Sequence, residues 1–186
     1  MKRSSFVCKC LFLLIFSSFF VFTAACSKQD SAGKVESMPD LTITQTDIML
    51  LLEHKKTIDS ITAEYDKKIA SVNPGAAYKL IEEGKTEINR YLESKGLNPE
   101  VFMKKSKKIL RCYLAFEEIS DETMQKRIEI LKRNDTSPKD IETKIQVYKK
   151  AGESFFKEMT SELSQKEIDL IKSNLKNIAS VTEKSE

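Results

Sequence analysis

The chain has 186 residues, 31 Lys and Arg against 28 Asp and Glu, and a formal charge of +3. Lys2, Arg3 and Lys9 carry that whole excess, because residues 1–25 contain no acid; the balanced remainder argues against a general nucleic-acid binder, which would keep a basic surplus. The length suits one domain with a real core, and a single histidine without clustered Cys or carboxylate partners argues against a metal or haem cofactor.

In chain order, the first segment is basic, then apolar. Residues 11–25 carry no charge and include Phe12, Leu13, Leu14, Ile15, Phe16, Phe19, Phe20, Val21 and Phe22. That run is shorter than the ~20 apolar residues a stable span needs. With its basic start and small residues at the end, it has the form of a secretory signal.

The stretch Thr23-Ala24-Ala25-Cys26 closes the signal. Small residues directly followed by cysteine resemble the lipobox of bacterial lipoprotein precursors, although Thr23 stands where that family usually has Leu. The resemblance covers residues 1–26 only. It implies that residues 1–25 are cleaved and that the Cys26 sulfur carries a diacylglyceryl group, with the new amino end often acylated too. Ser27 is not the Asp associated with retention at the inner membrane, so the implied destination is the outer membrane. A secreted protein with an incidental cysteine, and an uncleaved apolar anchor over residues 6–25, are the competing readings. Two or three fatty chains make a firm attachment, where one is marginal.

From the cysteine onward, residues 26–43 read as a lipidated end and flexible tether, polar and containing Gly33 and Pro39. A reach of at most ~50 Å follows from its length. Residues 44–180 read as a helical domain, and 181–186 as a frayed tail. Thr44 with Asp47 predicts a capped helix start, with Ile43 and Ile48 as a hydrophobic staple. An apolar line through Leu51, Leu52, Ile58, Ile61, Tyr65, Ile69 and Val72 follows at helical spacing. Asn73-Pro74 ends it and opens a second helix whose stripe runs Ala77, Leu80, Ile81, Gly84, Ile88, Tyr91 and Leu92.

Gly96 predicts a left-handed stop, and Asn98-Pro99 a third start. The third line runs from Phe102 to Leu131, with Ser120-Asp121-Glu122 placed to bend or restart it. Ser137-Pro138 opens a fourth helix carrying Ile141, Ile145, Tyr148, Gly152, Phe155, Phe156 and Met159. Ser164 with Glu167 makes another capping box. It leads into a segment with Ile171, Leu175 and Ile178, either a fifth helix or a kinked continuation. No stretch alternates with period two. The expected fold is therefore all-α, an up-and-down helical bundle of four to five helices.

Few residues stand out chemically. Gly84 and Gly152 lie on apolar stripes, where each costs ~1 kcal/mol relative to Ala. The expectation is close helix packing there or, less simply, a ligand pressed on the backbone. His54, Glu87 and Lys144 border those stripes. They either converge on a polar site inside the bundle or sit at its edge with their heads in water. Lys104, Lys105, Lys107, Lys108 and Arg111 form a dense basic run, read as a patch for an anionic partner or as a solvated face.

Cys112 is the one cysteine left for the body, so no internal disulfide is available there. Phosphate loops, metal-binding His-Glu-x-x-His and the serine elbow are all missing from the sequence, and no catalytic residue is nominated. The expected function is a membrane-anchored envelope protein that binds another protein or an envelope polymer without catalysis. A carrier or sensor with an apolar pocket between helices is the alternative.

Overall fold

The computed structural model describes residues 40–182. The signal over 1–25, Cys26, the tether as far as residue 39 and residues 183–186 of the tail lie outside the described residues. Among the described residues there are seven helices and no strand, an all-α bundle. The helices are α1 (Gln45–Ala70), α2 (Pro74–Ser94), α3 (Pro99–Ile119), α4 (Asp121–Arg133), α5 (Pro138–Met159), α6 (Gln165–Ser173) and α7 (Leu175–Thr182).

The starts follow local chemistry. Each helix leaves its first amides without intrahelical acceptors, and in α1 to α6 a side chain supplies one. Thr44 and Ser164 form full capping boxes with Asp47 and Glu167. Asn73, Asn98 and Ser137 accept from the amides of Ala76, Val101 and Asp140, each followed by proline at the first helical position. The end of α2 is a Schellman stop: the Leu97 N–H donates to Leu92 O at 3.1 Å and the Gly96 N–H to Glu93 O at 2.9 Å, with Gly96 at φ 73°. The same geometry ends α4, but Asp135 holds the left-handed position there, at φ 52°.

Two breaks give seven helices in place of four or five. Ser120 is extended, at φ −67° and ψ 148°, and serves as the C-cap of α3 and the N-cap of α4. Its hydroxyl donates to Glu117 O at 2.8 Å and accepts from Thr123 N–H at 3.2 Å. The line Ile171, Leu175, Ile178 is broken at Asn174. The buried Asn174 amide donates to Leu170 O at 2.9 Å and to Gln45 Oε1 at 3.2 Å, tying the end of α6 to the start of α1. Helix α7 continues through Thr182, two residues into the stretch expected to fray.

Helix α3 is the hub, packing against all six other helices. Its Ile109, Cys112 and Tyr113 are buried with Ile48 and Leu51 of α1, Ile171 of α6 and Ile178 of α7. Burying such a side chain fully is worth ~1.5–3 kcal/mol, so this cluster holds the body together. Ile43, placed by the sequence at the end of the tether, belongs to the same cluster. Toward the N-terminal end of α3, Phe102 packs with Ile58 and Leu92, where the α1–α2 hairpin meets the body. Toward its C-terminal end, Phe116 meets Phe156 edge to face at 5.0 Å, and the α4–α5 hairpin joins there.

Candidate functional site

The residues singled out from the sequence fall into separate local arrangements. Gly84 and Glu87 of α2 come together around Tyr65 of α1. A Cβ on Gly84 would lie 3.1 Å from Cγ and 3.4 Å from Cβ of Tyr65, so the tyrosine occupies the space that the glycine leaves. Its hydroxyl donates to Glu87 Oε2 at 2.8 Å. That bond to a carboxylate pushes the Tyr65 hydroxyl above its ordinary pKa. Lys68 lies over the same ring, 4.3 Å from its centroid, and pairs with Glu64 at 2.7 Å.

His54 sits on the next turns toward the body and is buried. Its Nδ1 lies 3.0 Å from the Tyr91 hydroxyl, and its ring meets Tyr91 and Phe102 edge to face. His54 and Glu87 each have a tyrosine of the opposite helix as partner. Gly152 is elsewhere, at the C-terminal end of α3, where a Cβ would meet the Ile119 Cγ2 methyl at 3.2 Å. Lys144 is exposed on α5. Both glycines therefore admit a neighbouring side chain, and the space a ligand would need is filled by Tyr65 and Ile119.

The basic run winds around α3. Lys104 pairs with Glu100 at 2.6 Å along its own helix. Lys105 reaches Asp47 of α1 at 3.1 Å, in a pair whose side chains are largely covered. Lys108 lies close enough to Glu167 of α6 to favour its charged form. Arg111 Nε donates to the Met159 sulfur at 3.3 Å, and Lys107 is half-buried. The run is spread between α1, α5 and α6, as the helical turn requires of near-consecutive residues.

One arrangement was invisible from the sequence. Glu167, read only as a capping-box acid, is buried and accepts three hydrogen bonds. They come from Ile43 N–H at 2.7 Å, Ser164 N–H at 2.8 Å and the Ser164 hydroxyl at 2.6 Å. Burial works to raise its pKa, but these bonds and the Lys108 charge outweigh that and hold the carboxyl below its ordinary value. It clamps the chain leading into α1 onto α6. The available signal was the second carboxylate oxygen, which a capping box leaves free.

No protein-family model, curated protein or solved structure matches this chain.

Burial pushes the Cys112 thiol to about 11, so it stays protonated at neutral pH. Among the described residues every buried side-chain nitrogen and oxygen has a hydrogen-bond partner, and no three His, Cys, Asp or Glu side chains are grouped to hold a metal ion. Open surface depressions lie on α5, around Thr143 and Val147, and at the α4–α5 turn, around Asp135 and Ile141. Neither involves a residue nominated from the sequence. No described helix is long and apolar enough to cross a membrane.

Several stripe residues expected in the core are at the surface. Val72, Ile81 and Ile119 are 39%, 37% and 38% exposed. Helical periodicity marks a face as apolar, but it does not say whether another element covers that face.

Proposed function

We propose that the protein is a bacterial envelope lipoprotein, held by acyl chains on Cys26, whose helical body binds a protein or an envelope polymer without catalysing a reaction. The observation that carries this reading is the sequence Thr23-Ala24-Ala25-Cys26 behind a basic start and a short apolar run. The lipid-bearing end would then be the amino end of the mature chain, and the outer membrane its location.

The form of the body supports the reading. The side chains nominated for chemistry are engaged in packing: Tyr65 with Glu87, His54 with Tyr91, Lys105 with Asp47. The Glu167 clamp gives the incoming chain a fixed place to join the body. An anchored module of this kind needs no apolar span of its own, since two fatty chains supply the attachment.

Fractionation tests it. Changing Cys26→Ala should move the protein out of the detergent-soluble membrane fraction into the soluble pool, or leave it uncleaved. Normal cleavage with unchanged membrane association would count against the lipid. Crosslinking of the anchored protein in intact cells should then capture a discrete envelope component. Turnover of a small molecule by the purified body would favour an enzyme instead.

A further inference from the structure

We draw no further inference here: the strongest candidate, the buried His54 side chain at the joint between the α1–α2 hairpin and the body, with Nδ1 3.0 Å from the Tyr91 hydroxyl and its ring against Phe102, belongs to the packing already described, where among the described residues every buried side-chain nitrogen and oxygen is already hydrogen-bonded and nothing points to a ligand.

Discussion

The two hairpins joined to opposite ends of α3 share a plan and differ in how they close. Each is a pair of antiparallel helices linked by a turn with a capping Asn or Ser and a proline. In α4–α5 the apolar Met124, Leu131 and Ile145 are all buried. In α1–α2 beyond Ile58, Tyr65 packs over Gly84 and bonds Glu87, and nothing from 59 to 83 is buried. The far half of α1–α2 is instead joined by a tyrosine over a glycine, with its hydroxyl on a carboxylate. Two stretches with similar hydrophobic periodicity thus bury their apolar residues to different extents.

The largest effect that tests this contrast lies in the body. Ile109→Ala, at a fully buried position, should cost ~2–5 kcal/mol. Ile69→Ala in the open half of α1–α2 should cost well under that, measured by urea denaturation of both variants. Equal losses would mean that the hairpin is as firmly packed as the core. Next in size, Gly84→Leu should destabilise by ~1–3 kcal/mol through overpacking, because the atoms facing it are the Cβ and Cγ of Tyr65, which cannot swing away. An unchanged melting temperature would show an open site at Gly84.

Acid titration sharpens the role of the Glu167 clamp. Its carboxyl is held below the ordinary value in the folded state, so the unfolded chain takes up the proton first on acidification. The stabilisation is complete above pH ~4.3, the ordinary glutamate value, and is lost as the pH falls through the lower, folded value. Glu167→Gln should lower stability at neutral pH by about 1 kcal/mol and flatten the acid limb of the Tm profile. Superimposable acid limbs would remove the clamp from the account. The smallest effect is expected for Gly152→Ala. Its neighbour is a methyl of the half-exposed Ile119, so the helix-propensity gain of up to ~1 kcal/mol should be largely kept. A clear loss of stability would show that Ile119 is fixed and that the two glycines are equivalent.

What could be read from the sequence was local. Thr44 with Asp47, Asn73-Pro74, Asn98-Pro99, Ser137-Pro138 and Ser164 with Glu167 mark helix starts because cap, amide and proline lie within four residues of each other. Gly96 marks a stop for the same reason. The break at Asn174 was not legible, since that residue is held by Gln45, 129 positions away. Nor was the separation of His54, Glu87 and Gly152, because a stripe gives a residue's face and not its partner. Ile81 shares an apolar line with Leu92, and only Leu92 is covered, in the cluster with Phe102 of α3.

We propose that lipid on the Cys26 sulfur holds the helical body at a bacterial membrane. Mass spectrometry of the N-terminal peptide of protein purified from its membrane tests it most directly. The expected peptide begins at Cys26 and carries the mass of a diacylglyceryl group, with or without a further acyl chain. A free thiol at Cys26, or a chain that still begins at Met1, would contradict it.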